Sequence, residues 1–153
     1  MPTVDLQDPR VQVALHLIGT RYHYGRGSPR DGALGEAACL LQPLDCSGAA
    51  QVYAVVVGDI DATQPDRSAH DLAMVCDPVS IEQARAGDLV FYDRNADGRL
   101  EHVAIYIGGG MVVSMSGGTQ HTFGDDPDAC GQVRPVGVYR VIGRWKASVR
   151  RKA

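Results

Sequence analysis

From Gly87 onward the apolar residues of this chain change their period, and that change restricts the fold more than any other feature. Asp88-Leu-Val-Phe-Tyr92 and His102-Val-Ala-Ile-Tyr-Ile107 are short runs rich in β-branched and aromatic side chains. The polar stretch Asp93 to Glu101 separates them, and Gly108-Gly-Gly110 leads at once into Met111-Val-Val-Ser-Met115. Such runs, bounded by turn residues, predict a meander of antiparallel strands. Val136 to Trp145 predicts at least one more strand. Before Gly87 the spacing is helical. Val11, Leu15 and Ile18 recur behind Asp8-Pro9, a cap with a first-turn proline, and Gly19 is placed to stop the helix. Between Cys46 and Val57, residues Ala49, Ala50, Tyr53 and Val57 share a helical face, although the valines would also suit a strand. A short helix is predicted from Ser68 to Met74. Helices first and strands afterwards predict an α+β fold with the helices on one sheet face.

With 153 residues the chain is long enough for one core, so a single domain is expected over 1–153, with a basic, solvated tail at about 146–153. A net charge of -3 gives no overall basic field, which argues against a nucleic-acid partner. No run approaches the roughly 18 apolar residues of a membrane span, so no membrane insertion is expected. Met1 to Arg10 lack the basic and apolar regions of a secretory signal, so the expectation is a cytoplasmic chain or one exported by a non-classical route. Cys39, Cys46, Cys76 and Cys130 show no Cys-x-x-Cys spacing, and the histidines show no metal-ligand spacing. Neither a metal nor an organic cofactor is expected, and the expected oligomeric state is a monomer.

Two residues have the chemistry for catalysis. Cys46 lies between Asp45 and Ser47-Gly48 at the start of the apolar helix. A thiol there meets unpaired backbone N–H groups and the positive end of the helix dipole, which lower its pKa and favour the nucleophilic thiolate. The small residues after it leave room for a substrate. His102 opens an apolar strand after a polar loop, where one ring nitrogen can face a thiol on a neighbouring helix. Each residue alone reads more readily as structural.

Together with their surroundings they resemble the NlpC-type cell-wall peptidases, a branch of the papain-like fold. Four segments carry the resemblance in order: Tyr22-x-Tyr24-Gly25, Asp45-Cys46-Ser47-Gly48, Gly87-Asp88-Leu89-Val90-Phe91 and His102-Val103-Ala104-Ile105-Tyr106-Ile107-Gly108. The resemblance implies a papain-like arrangement in which the Cys46 helix packs on the antiparallel sheet carrying His102. It implies Cys46 as nucleophile and His102 as general base at the mouth of one cleft, with Tyr22 beside the oxyanion. Asp45 and Ser47 would border the site and bind the polar ends of a short peptide. The implied substrate is a peptidoglycan stem peptide, cut between D-glutamate and a diamino acid. An amidase or transpeptidase on another acyl substrate, or a non-catalytic module that retains wall fragments, are the alternatives.

Two departures from the family pattern stand out. The third catalytic position, twelve residues after His102, is Ser114, whose neutral hydroxyl holds an imidazole less firmly than a carboxylate or second imidazole would. Gln120 and His121 are the other candidates for that role. The segment from Arg26 to Leu44 is longer than the family's connection and contains Cys39; it could cover the cleft, narrow the substrate range or pair Cys39. Asp93-Arg-Asn95-Ala-Asp97-Gly98-Arg-Leu-Glu101 opens like a calcium loop, but its twelfth position is Ala104. A solvated hairpin turn is the preferred reading.

Overall fold

The structure, a computed structural model, describes residues 3–152, without the side chains of residues 37 and 38. Four α-helices precede six strands: α1 (Pro9–Leu15), α2 (Glu36–Leu40), α3 (Cys46–Val56), α4 (Ala69–Met74), β1 (Cys76–Val79), β2 (Leu89–Tyr92), β3 (His102–Gly108), β4 (Met111–Ser116), β5 (Cys130–Pro135) and β6 (Val141–Trp145). The strands form one sheet in the order β1-β6-β2-β3-β4-β5, antiparallel throughout. This is an α+β fold. No described helix is long and apolar enough to cross a membrane.

Local chemistry sets the helix starts. The Asp8 side chain accepts from Arg10 N–H, and Ser68 accepts from Asp71 N–H, so each caps its helix. Helix α1 stops at Leu15, three residues before the apolar pattern ends, and Ile18 is exposed. Past Leu15 the chain turns instead to pair Gly19 N–H with the Gly131 carbonyl. The segment after Arg26 folds into a 3-10 turn (Pro29–Leu34) and α2, both packed on α3. Cys39 is buried there, and all four cysteines are free thiols.

The central sheet has two unlike faces. Leu89, Phe91, Val103, Ile105, Val113 and Met115 pack with α1 and α3 in the main core. Val90, Ala104, Tyr106 and Val112 form a smaller cluster on the other face, closed by Val136 and Ile142 with Tyr92 and Tyr139. The alternation follows from the strand period of two. It also decides where the side chains at the start of β3 point.

Candidate active site

Helix α3 begins at Cys46 because Asp45 caps it. Asp45 Oδ1 accepts from Gly48 N–H at 2.6 Å, and Oδ2 accepts from Gly25 N–H at 2.9 Å. The same carboxylate therefore ties the 21–26 segment to the helix start. Leu44 N–H donates to the Arg21 carbonyl and Asp45 N–H to that of Arg26, which completes the pairing. Gly48 is required for this contact, since a Cβ there would lie 2.0 Å from the Arg26 carbonyl oxygen. Tyr22 is thereby delivered beside Cys46, and Gly118 makes room for its ring: a Cβ would come within 2.4 Å of three ring atoms.

Cys46, Tyr22, Asp45 and Ser47 line one groove of about 360 Å3. Asp66, Arg67, Ser68 and the segment Arg99–Glu101 form its other wall. The sequence pattern had not pointed to that wall. Gln51, one turn beyond Ser47, holds it: its amide N–H2 group donates to the Ser47 and Arg67 carbonyls and Asp66 Oδ1, while its oxygen accepts from Arg67 N–H. A buried glutamine in an apolar helix was the available signal, because such a group must find partners.

The thiol lies against the main chain at the start of β3. Its hydrogen-bond partner is the Glu101 carbonyl, 4.0 Å from Sγ. Burial pushes the Cys46 pKa up to about 11, against a hydrogen bond from the Val103 main chain that favours the thiolate. The lowered pKa expected from the helix start is not what the packing favours; desolvation outweighs the main-chain hydrogen bonds from Val103 and Ser47.

His102 is the first residue of β3 and is 5% exposed. By alternation its side chain shares the face of Ala104 and Tyr106, opposite Val103 and the α3 core. The ring stands 5.5 Å from that of Tyr92, and Nε2 is 2.8 Å from Ser114 Oγ. Since Ile105 pairs with Val113, Ser114 falls beside Ala104 and meets His102 diagonally across the β3–β4 ladder. Ser116 Oγ donates on to Ser114 Oγ at 3.1 Å, so a buried hydroxyl pair stands behind the imidazole. Burial, then the charge of Arg94, lowers the His102 pKa to about 3. Gln120 and His121 are exposed and bond to each other, not to His102.

The structure brings Tyr22, Asp45 and Ser47 to the thiol, and Ser114 to the imidazole. It places no hydrogen bond between Cys46 and His102 among the described residues; they approach through the main chain of 101–103, from opposite faces. Tyr22 is buried, which raises its phenol pKa, and the nearby Cys46 and Asp45 charges add to the effect. Its hydroxyl makes no hydrogen bond among the described residues, which leaves the donor available. Both Asp45 oxygens are engaged, by Gly48, Gly25 and Ser47, so its demonstrated contacts are architectural. In the β2–β3 hairpin, Asp93, Asp97 and Glu101 bring ligand atoms within 4.8 Å of one another and could hold a cation. Asp93 already accepts from the N–H groups of Asp97 and Gly98, as a closed turn requires.

The NlpC/P60 family model matches residues 19–127, which span both halves of this site. The chain belongs to the NlpC/P60 family. It is 32% identical over 98 residues to murein DD-endopeptidase MepH of Escherichia coli, covering 63% of this chain and 31% of that protein. It is 30% identical over 122 residues to the bifunctional muramidase/DL-endopeptidase CwlT of Bacillus subtilis, covering 78% of this chain and 32% of that protein. The chain therefore spans about a third of the length of these two relatives. The crystal structure of the NlpC/p60 domain of the peptidoglycan hydrolase SagA superposes with a TM-score of 0.56 at 26% identity, covering 88% of this chain and 95% of that one. Family and fold together mark the chain as an NlpC/P60 domain.

Proposed function

We infer that this chain is a cysteine hydrolase that cuts an amide bond in peptidoglycan stem peptide, between D-glutamate and a diamino acid. The observation that carries the reading is the pairing of His102 Nε2 with Ser114 Oγ. It leaves Nδ1 without a hydrogen bond among the described residues, and so as the ring nitrogen available to the Cys46 thiol, which abuts the main chain of Glu101 to Val103. Nδ1 takes the thiol proton directly or through one water as sulfur attacks the amide carbonyl. Because burial holds both groups neutral, the proton moves during attack and not beforehand. The oxyanion is met by the Tyr22 hydroxyl and the N–H of Cys46, an orphan donor of the first helical turn. His102 returns the proton to the departing amine, forming a thioester that water hydrolyses with His102 again as base.

Asp45 and Ser47 border the groove and set where the peptide's polar ends lie. The two named relatives are endopeptidases of different bond type, DD and DL, so product identity decides the bond. Digestion of purified peptidoglycan, read by mass spectrometry, tests the proposal. Release of fragments ending in D-glutamate supports it, and cleavage elsewhere redirects it to another amide. The raised thiol pKa favours one second reading, a fragment-binding module. Retention of muropeptides without any cleavage would select that reading.

A further inference from the structure

A second cavity, of about 330 Å3, lies at the other end of the molecule from Cys46. It includes Asp59, just beyond the C-terminal end of α3, whereas Cys46 begins that helix about 16 Å away by helical rise. It also includes Gly87, whose N–H donates to Tyr106, at the opposite end of β3 from His102. Arg10, Arg85, Arg144 and Arg150 converge on it, with two aspartates. Both carboxylates are already neutralised. Arg10 Nη1 donates to Asp59 at 2.8 Å, and Arg144 grips both oxygens of Asp88 at 2.8 Å each. The side chains of Arg85 and Arg150 make no ion pair or hydrogen bond among the described residues. The cavity thus carries two positive charges in excess, within a chain whose net charge is -3.

The C-terminal segment is held at the cavity. Val149 packs on the main core, Arg150 N–H donates to the Lys146 carbonyl, and Arg151 N–H donates to that of Asp59. Trp145, also in the lining, is 3% exposed, and its Nε1–H has no acceptor among the described residues. We propose that this cavity is an anion-binding site for a phosphate group, held by Arg85 and Arg150 beside the Trp145 ring. Guanidinium forks match phosphate oxygens, and several converging donors suit an anion with more acceptor oxygens than a carboxylate. The volume sits at the small end of ligand pockets and admits a phosphodiester as readily as free phosphate.

Trp145 is the only tryptophan, so its fluorescence reports on the site directly. The purified chain is titrated at constant ionic strength with inorganic phosphate, a glycerol phosphodiester, acetate and chloride. A saturable change with phosphate, absent with acetate and chloride, is expected. Arg85→Ala and Arg150→Ala, which break no ion pair, should each weaken binding about tenfold or more. Cys46→Ala should bind like wild type, which separates this result from the fate of the hydrolase reading. Binding of the phosphodiester as well assigns a polymer as the source; binding of inorganic phosphate alone assigns the free ion, and both support the site. No saturable change, an equal change with chloride or acetate, or an unaltered response in the Arg85→Ala/Arg150→Ala double variant overturns it.

Discussion

The two faces of the sheet at the start of β3 are built to different ends. On the α3 side the Cys46 thiol borders an open groove lined by Tyr22, Ser47 and the Arg67 loop. On the other side His102 is nearly sealed and has a hydroxyl pair behind it. In the proposed reaction one face would admit the peptide and the other would hold the base still. Burial acts on both in the same direction, toward the uncharged form, raising the thiol to about 11 and lowering the imidazole to about 3. The pair therefore rests neutral over the physiological range. A resting thiolate–imidazolium pair is not what this environment favours.

The largest effect should come from emptying the groove side. Cys46→Ala is expected to reduce peptidoglycan hydrolysis by at least about four orders of magnitude, with an unchanged circular dichroism spectrum. His102→Ala should be comparably severe, whereas His16→Ala, on an exposed histidine, should leave activity near wild type. If Cys46→Ala stays active, the groove is not the reaction site, and the contrast between the faces loses its meaning.

The neutral resting state is tested by alkylation. Iodoacetamide reacts with thiolate, so the rate at Cys46 should climb through the alkaline range toward about pH 11. A plateau already reached near pH 6 would show an ion pair instead. The imidazole side has its own pH signature. Burial holds the His102 pKa in the folded chain at about 3, below the ordinary imidazole value of 6.5, so the unfolded chain binds more protons between these values. Its contribution to stability is full above about pH 6.5 and is lost as pH falls toward 3. Urea midpoints should decline over that window, and His102→Gln should decline less.

How far this contrast could be read from sequence depends on where each residue sits. Cys46, His102 and Ser114 lie in segments whose order and spacing are restrictive, and β2, β3 and β4 are continuous apolar runs in the middle of the sheet. The missed strands, β1 and β5, are its two edges. Cys76-Asp-Pro-Val79 and Cys130-Gly-Gln-Val-Arg-Pro135 each carry a proline and are half exposed, as edges tolerate. The partners of Gln51 and the Tyr92 and Ser116 contacts were invisible because they join residues distant in sequence or fixed by register. The thiol pKa was misjudged for a related reason. A helix start is visible in sequence, but the burial that overrides it is a property of packing.

The smallest effect should come from the support behind the imidazole. Ser114→Ala removes the imidazole's one neutral hydrogen bond, along with the acceptor of Ser116 Oγ; the bond to the ring contributes about 0.5–1.5 kcal/mol, or roughly three- to tenfold in rate if it acts wholly in the transition state. His121→Ala should have no effect, since that ring is exposed and bonds only Gln120. A loss with Ser114→Ala as deep as that with His102→Ala would mean that the hydroxyl pair does more than orient the ring.

The central claim is that base and nucleophile meet around the first residue of β3. A crystal structure of the wild-type chain with a stem-peptide aldehyde bound to Cys46 as a hemithioacetal tests it most directly. The account predicts His102 Nδ1 in direct or one-water hydrogen-bond contact with the sulfur, Nε2 still on Ser114, and the hemithioacetal oxygen near the Tyr22 hydroxyl and Cys46 N–H. An imidazole whose Nδ1 makes neither a direct nor a one-water contact with the sulfur in that adduct would contradict it.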